Sequence, residues 1–150
     1  MTNYDSTQAT EEHKKSVIHF MSVAIQNLAA RATEHDRSKL VSPEKDIFDE
    51  FTPKLKDSTY GSDEYKGYLV SMGEALKHHY ENNSHHPEHY VNGIDGMSLL
   101  DLIEMFCDWQ AATLRHADGD IEKSIEINRE RFGMTDQLHS IFMNTLRELW

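Results

Sequence analysis

Two short segments carry the residue types that could do chemistry. Residues 78–89, HHYENNSHHPEH, contain five of the ten histidines of the chain. Upstream, residues 34–39 place His35 directly before Asp36, with Lys39 three positions later. Imidazole nitrogens combined with carboxylate oxygens suit Zn²⁺, Fe²⁺, Mn²⁺ or Ni²⁺. These two segments predict a metal site that the rest of the chain must carry and cover.

Further candidates come from helical faces that should be apolar. His13 lies one turn before a stripe formed by Val17, Phe20, Met21, Ala24 and Leu28, and we expect it to point toward the core. His79 ends a similar stripe in a later helix. Asp108 lies on a segment that is apolar nearly all round, so its carboxylate must face a cleft, pair with a cation or bind metal. A lone histidine on an apolar face is more often a satisfied core residue, but the combination favours a metal site.

The elements that position these residues are expected to be helices. Apolar residues recur at helical spacing, strand-like alternation is absent, and three prolines and seven glycines punctuate the chain. We predict an all-α, single-domain protein of about five to six helices over residues 1–150, with 1–8 as a loose start. The predicted helices span about 8–33, 43–51, 62–80, 98–116, 121–131 and 136–150.

Local signals define the ends of these helices. Pro43 follows Ser42 at a helix start, and Pro53 and Gly61 predict a loop over residues 52–62. Residues 81–96 are expected to form a polar loop in which Asn83 bonds to the backbone, while His78 and His89 face solvent. Cap residues predict the remaining boundaries, with N-caps at Ser62 or Asp63, Ser98, Asp120 and Thr135 and a C-cap at Gly133.

Composition excludes several classes of function. The net charge is −11 with neutral histidines, which argues against binding to duplex nucleic acid, since that requires clustered cations. Cys107 is the single cysteine, which excludes an internal disulfide and fits a reducing cytosol. No apolar run approaches membrane-spanning length, and residues 1–12 lack the apolar core of a signal peptide. We therefore expect a cytoplasmic protein with no membrane partner.

The order of the candidate residues resembles a known signature. His13, His35-Asp36, His79, His85 or His86, and Asp108 follow the pattern His…His-Asp…Asp of the HD-domain superfamily. Members of that superfamily are all-helical, metal-dependent phosphohydrolases that act mostly on nucleotides, and residues 34–39 look like their His-Asp-x-x-Lys turn. The chain is also similar to uncharacterised HD-like domains of phages and bacteria, through the blocks HD-x-S-K, N-x-HHPE and DLIEM-x-x-DW.

This resemblance implies roles for individual residues. Asp36, Lys39 and Glu104 would be the catalytic group, in which Lys39 offsets charge on phosphoryl oxygens and Glu104 orients a ligand or a water. The cofactor would be one or two divalent transition-metal ions, Mn, Fe, Zn, Ni or Co. Whether His85 or His86 is the ligand is left open. The implied metal ligands are His13, His35, Asp36, His79, His86 and Asp108.

The implied function is hydrolysis of a nucleotide or another small phosphate ester by a metal-activated water. Two alternatives remain open at this stage. One is a di-iron oxygenase of HD-like fold, and the other is a non-catalytic protein that binds metal, nucleotide or a host factor. The expected partner is a small phosphorylated substrate, and homo-oligomerisation is left undecided. Trp109 and Tyr80 could stack on a base, although Trp109 is more typical of a core residue.

Overall fold

The computed structural model of the protein describes residues 4–115 and 117–150. Within these ranges the chain forms seven α-helices and three short 3-10 helices, with no strand, which confirms the all-α prediction. None of these helices is both long and apolar enough to cross a membrane. Residues 1–3 of the predicted loose start and His116, at the end of a predicted helix, lie outside the described residues. The chain divides into two units, one ending at Glu34 and one beginning at His35.

The first unit is a single helix, α1, from Thr7 to Glu34. Asp5 caps it, because its carboxylate accepts hydrogen bonds from the backbone N–H of Thr7 at 2.9 Å and from its hydroxyl at 2.6 Å. No residue of α1 is buried, and Phe20 of the predicted stripe is 71% exposed. Within this unit there is no second element against which α1 could bury a face. The expectation that His13 points into a core is therefore wrong, since His13 is exposed.

The second unit begins with a 3-10 helix, Arg37–Leu40, followed by a cis Ser42–Pro43 peptide bond and α2, Glu44–Asp57. The predicted helix ended near residue 51, but α2 continues through Pro53. Pro53 lies on an exposed face, where water can replace the backbone donor that proline lacks. The predicted loop over residues 52–62 is wrong for its first half.

Two helices replace the single one predicted over residues 62–80. These are α3, Asp63–Ser71, and α4, Gly73–Asn82. Ser62 caps α3 as predicted, with its hydroxyl accepting from the backbone N–H of Tyr65 at 3.1 Å. The chain bends at Met72, whose side chain is 1% exposed, and the next residue is glycine, a weak helix former. The bend at Met72 divides the single predicted helix in two, so the described residues contain seven α-helices where about five to six were predicted.

Three helices complete the second unit and build its core. They are α5, Leu99–Thr113, α6, Ile121–Phe132, and α7, Asp136–Leu149, and 3-10 turns at Pro87–His89 and Gly93–Gly96 lie in the loop before α5. The predicted caps at Ser98, Asp120, Thr135 and Gly133 are confirmed.

The core of these three helices consists of Met105, Phe106, Trp109, Ile125, Met134, Phe142 and Leu146. The rings of Phe106 and Phe142 stack 5.0 Å apart. Trp109 is buried here, in agreement with its interpretation as a core residue. The apolar surface of α5 is only partly covered, since Leu99 is 77% and Ile103 45% exposed. The face that carries Asp108 is turned toward the histidine-rich loop.

Candidate metal centre

The loop, α4 and the turn after α1 bring four side chains of the second unit together. Asp36 has φ +56°, in the left-handed region, which aspartate tolerates better than most residues and which precedes the 3-10 helix at Arg37. His79 projects from α4 and is 1% exposed, while His85 in the loop is 2% exposed. Pro87 follows His86 and holds it in an extended conformation, with ψ 132°.

These four side chains, Asp36, His79, His85 and His86, form the first donor group. One donor atom from each lies within 4.8 Å of the others. The Oδ1 atom of Asp36 is 3.3 Å from Nε2 of His79 and 3.5 Å from Nε2 of His85. Nε2 of His86 lies 3.0 Å from Nε2 of His79. Three imidazole nitrogens and one carboxylate oxygen thus lie close enough together to contact one ion.

Within the part of the chain that the structure describes, two buried atoms of the first donor group have no hydrogen-bond partner. They are Oδ1 of Asp36 and Nε2 of His85. A buried polar atom that makes no bond costs about 1–3 kcal/mol, so proteins rarely leave two of them side by side. Both atoms are electron-pair donors, and three imidazoles with one carboxylate suit Zn²⁺, Mn²⁺, Fe²⁺, Co²⁺ or Ni²⁺. The residues present therefore fit a divalent transition-metal ion.

Glu44, the first residue of α2, supports the first donor group by bonding to His79. Its side chain is fully buried, with one oxygen 2.9 Å from Nδ1 of His79 and the other 2.7 Å from Nδ1 of His78. Ser38 donates its hydroxyl to the same carboxylate at 3.0 Å. A carboxylate on Nδ1 of a histidine fixes the proton there and leaves the Nε2 lone pair for a metal. Glu44 therefore orients His79 toward the centre.

Glu104 of α5 orients two other histidines through their Nδ1 atoms. Its Oε1 lies 2.8 Å from Nδ1 of His35 and 3.1 Å from Nδ1 of His85. With its Nδ1 proton held by Glu104, His85 directs its unpartnered Nε2 toward Asp36. The location of Glu104 suits the orienting role expected from the sequence, in which it positions ligands without itself being one.

His35, His85 and Asp108 form a second donor group, which shares His85 with the first. Nε2 of His35 is 3.6 Å from Oδ1 of Asp108 and 3.5 Å from Oδ2 of Asp36. The bond to Asp108, opposed by burial and aided by Glu104, raises the pKa of His35 to about 9. A metal ion in this group must displace a proton from His35, so the first donor group is the stronger candidate.

Electrostatics in the first donor group favour metal binding. Burial alone would raise the pKa of Asp36, but the close imidazoles of His79 and His85 and the charge of Lys39 outweigh it and hold that pKa well below its usual range. Lys39 donates to Oδ2 of Asp36 at 2.6 Å. Burial and the neighbouring His85 and His79 lower the pKa of His86 to about 2. An ionised carboxylate and a neutral imidazole are the forms that bind metals.

A cavity of about 920 Å³ opens from the donor groups. Asp36, His79, His86 and Asp108 line one part of it, together with Lys39. The remainder extends between α2, α5 and α6. The size is at the upper end of the ~300–1,000 Å³ typical of small-molecule sites. The donor groups are therefore accessible to a ligand larger than water.

The structure brings most of the predicted site residues together. His35, Asp36, Lys39, His79, His86, Glu104 and Asp108 all belong to the two donor groups or contact them. His85 and His86, left as alternatives by the sequence, both belong to the first donor group. His13 lies in the first unit and neither group includes it, so its role as a ligand stays a prediction.

Sequence reasoning missed several supporting residues. Glu44 is not among the predicted site residues, because its partner His79 lies 35 positions away and local pattern does not show such a contact. His78, expected to face solvent, is partly exposed and also bonds to Glu44, because α2 and α4 bring the two residues together. Asn83 was expected to bond to the backbone, and it does, donating to the carbonyl of His79 at 2.8 Å and also to Ser38 at 2.9 Å. His89 is exposed, as predicted.

The chain belongs to DUF5662, a family of unknown function, whose model matches residues 2–149. No curated protein and no solved structure matches it. The family match covers both donor groups and every residue that supports them.

Proposed function

We propose that this member of DUF5662 is a metal-dependent phosphohydrolase whose ion is held by the first donor group, Asp36, His79, His85 and His86. The observation that carries the proposal is the pair of buried, unpartnered donor atoms, Oδ1 of Asp36 and Nε2 of His85. The resemblance of the His35-Asp36 turn and of the histidine segment to the HD-domain superfamily supports the choice of reaction. The substrate would be a nucleotide or another small phosphate ester.

A divalent ion in this group would act as a Lewis acid that lowers the pKa of water and offsets negative charge on a phosphoryl oxygen. The chain supplies the rest of the environment. Lys39, which lines the cavity and bonds to Asp36, places an ammonium beside the site where phosphoryl charge would develop. In the hydrolysis, the water oxygen bonds to phosphorus while the phosphorus–oxygen ester bond breaks, and the leaving oxygen takes a proton from solvent.

In this proposal Asp108 takes the proton of the attacking water. Its carboxylate lines the same cavity as Asp36 and belongs to the second donor group, so it lies beside the proposed ion site without being part of the first group. Burial would raise the pKa of Asp108, but the bond from His35 outweighs it and lowers that pKa, so Asp108 is ionised near neutral pH. Glu44 and Glu104 hold the histidines in their ligating orientation.

Metal content is the first test. Elemental analysis of the purified protein, as isolated and after reconstitution, should give close to one transition-metal ion per chain, and Asp36→Ala should lose it. Asp49→Ala is the matched control, since Asp49 lines the same cavity but belongs to neither donor group. Absence of metal in the reconstituted wild type would contradict the proposal.

Catalysis is the second test. Phosphate release from a panel of phosphate esters, with the metal that the protein retains, should be abolished by EDTA and restored by adding that metal. Asp36→Ala should be inactive and Asp49→Ala active, with equal helix content by circular dichroism. Stoichiometric metal without release of phosphate from any ester would instead favour a binding or structural role. Two iron ions per chain with visible absorption would favour the oxygenase alternative.

A further inference from the structure

The cavity that starts at the donor groups continues along an aromatic wall. Six of its lining residues are aromatic, namely Phe48, Tyr60, Tyr65, Tyr80, Trp109 and Phe132. Aliphatic side chains such as Leu69, Met72 and Ile127 line it as well. Aromatic and apolar walls favour a flat, uncharged ligand body, which can stack on or meet the edges of the rings. The volume of about 920 Å³ is far more than one phosphate group would need.

The described basic side chains that line this cavity do not form a continuous basic surface that could bind additional phosphates. Among the described lining residues, Lys39 is bonded to Asp36 at 2.6 Å and Arg131 to Glu88 at 2.6 Å. The other basic lining residues, Lys56, Arg115 and Lys123, are exposed and are accompanied by the exposed acidic residues Asp49, Asp118 and Asp120. A second or third phosphate would therefore meet apolar walls or a surface of mixed charge, at a large desolvation cost.

Neutral hydrogen-bonding groups lie in the part of the cavity formed by α6. Asn128 is 1% exposed and donates to the backbone carbonyl of Ser124 at 2.9 Å. The hydroxyl of Tyr60 reaches Oδ1 of Asn128 only at 3.4 Å, a long bond that a ligand group can replace. The ring of Tyr65 meets that of Tyr60 at 5.0 Å, edge to face. This end of the cavity can bond to neutral polar substituents on a ring.

We propose that the substrate is a phosphate monoester that carries a single phosphate on an uncharged, ring-bearing organic body. The phosphate lies at the first donor group beside Lys39, and the ring lies against Tyr60 and Tyr65. Neutral polar substituents of the ring bond to Asn128. This inference rests on the proposed function, since it names the class of ester that the same site accepts. It excludes esters whose organic body is itself strongly charged.

Binding of phosphonates tests the inference separately from turnover, because their phosphorus–carbon bond is not hydrolysed. Three probes are titrated calorimetrically into the metal-loaded protein: methylphosphonate, 1-naphthylphosphonate and a ring-sulfonated 1-naphthylphosphonate. We expect 1-naphthylphosphonate to bind at least about tenfold more tightly than methylphosphonate, a difference of about 1.4 kcal/mol. The sulfonate, which adds one negative charge to the same ring, should bind at least about tenfold more weakly than its parent.

Matched variants on α3 locate the ring. Tyr65→Leu should remove most of the preference for the naphthyl probe while leaving the affinity for methylphosphonate unchanged. Tyr68→Leu is the control, because Tyr68 is on the same helix, does not line the cavity and bonds to Glu64 at 3.0 Å. If Tyr65→Leu does not fold, as judged by circular dichroism, Tyr60→Leu takes its place with the same expectation.

The outcomes separate the two proposals. Equal affinity for the naphthyl and methyl probes, or tighter binding of the sulfonate, overturns the proposed substrate class. An unchanged naphthyl preference in both Tyr65→Leu and Tyr60→Leu overturns the position of the ring. A metal-loaded protein that shows the naphthyl preference but releases no phosphate from 1-naphthyl phosphate retains the ligand class and contradicts the hydrolase function.

Discussion

Two carboxylates of the second unit, Asp101 and Asp36, are both largely withdrawn from solvent, and their surroundings differ. Asp101 accepts four hydrogen bonds, from the hydroxyls of Ser84, Tyr90 and Ser98 and from the backbone N–H of Ser98, at 2.7–2.9 Å. Asp36 has one oxygen bonded to Lys39, while its other oxygen is buried without a partner.

Acidity does not distinguish these two groups. Burial would raise the pKa of both, yet hydrogen bonds to Asp101, and the close imidazoles and Lys39 beside Asp36, lower both pKa values below the usual range. What differs is whether the protein itself supplies donors to every oxygen. A fully bonded carboxylate stabilises the fold, whereas an unpartnered oxygen facing imidazoles leaves a donor atom for a ligand such as the proposed ion. Hydrogen-bond saturation therefore separates a structural carboxylate from a candidate ligand.

The largest expected effect concerns metal affinity. Asp36→Asn should weaken binding of Zn²⁺, titrated calorimetrically into metal-free protein, by more than the roughly 10–100-fold typical of an outer partner, because it removes a direct ligand. Asp101→Asn should change this affinity by less than about threefold, since Asp101 belongs to neither donor group. Comparable losses in the two variants would remove the distinction between the carboxylates.

A smaller loss of affinity is expected at Glu44, which belongs to neither donor group but bonds to a ligand. Glu44→Gln replaces one of the two acceptor oxygens that hold His78 and His79, so Zn²⁺ affinity should fall roughly 10–100-fold. Glu50→Gln is the control, because Glu50 is exposed on the same helix and pairs with Lys54. If Glu44→Gln binds Zn²⁺ as tightly as the wild type does, the buried carboxylate contributes only to packing.

The helix caps and the candidate ligands show which features of the molecule could be predicted from the sequence. Ser98, Asp120 and Thr135 were identified as caps because their acceptors bond to N–H groups two or three residues away. His35-Asp36 and the histidine segment stood out through residue type and density alone. Local pattern and composition were therefore sufficient for the fold class, for these helix boundaries and for most candidate ligands.

Long-range contacts account for what the sequence did not predict. Glu44 lies 35 positions from His79, and Tyr90 and Ser84 reach Asp101 across the loop, so no local spacing marks them. Pro53 was read as a helix breaker because the rule is local, whereas exposure to water lets α2 continue. The apolar stripe on α1 predicted a buried face, but α1 forms a unit by itself and none of its residues is buried.

In the metal-free protein, the stability of the fold should depend strongly on Asp101. Asp101→Asn should lower the free energy of unfolding by about 3 kcal/mol, because an amide cannot accept all four bonds and one of its own donors meets another donor. The measurement is urea denaturation in EDTA at pH 7. Asp49→Asn, at an exposed position paired with Lys45, should change the free energy by less than about 0.5 kcal/mol.

The effect of Asp101 should also depend on pH. Its folded pKa is lowered, so its contribution is fully present above the unfolded value of about 3.9 and is lost as the pH falls through the folded value. The difference in unfolding free energy between wild type and Asp101→Asn should be constant between about pH 5 and pH 7 and shrink below about pH 4. A difference that grows on acidification would contradict the network described for Asp101.

The smallest expected effect tests whether the Asp101 network acts as a unit. Ser98→Ala should cost about 1 kcal/mol, the usual loss for a helix N-cap, because the backbone N–H of Ser98 still donates to Asp101. Thr135→Ala, a cap for which the structure gives only a bond from Leu138, should cost a similar amount. In urea denaturation, Ser98→Ala combined with Asp101→Asn should cost less than the sum of the single changes, because both remove the same hydroxyl–carboxylate bond of 2.7 Å. If the losses of unfolding free energy in the two single variants are fully additive, the hydrogen bonds to Asp101 act independently and do not form a cooperative network.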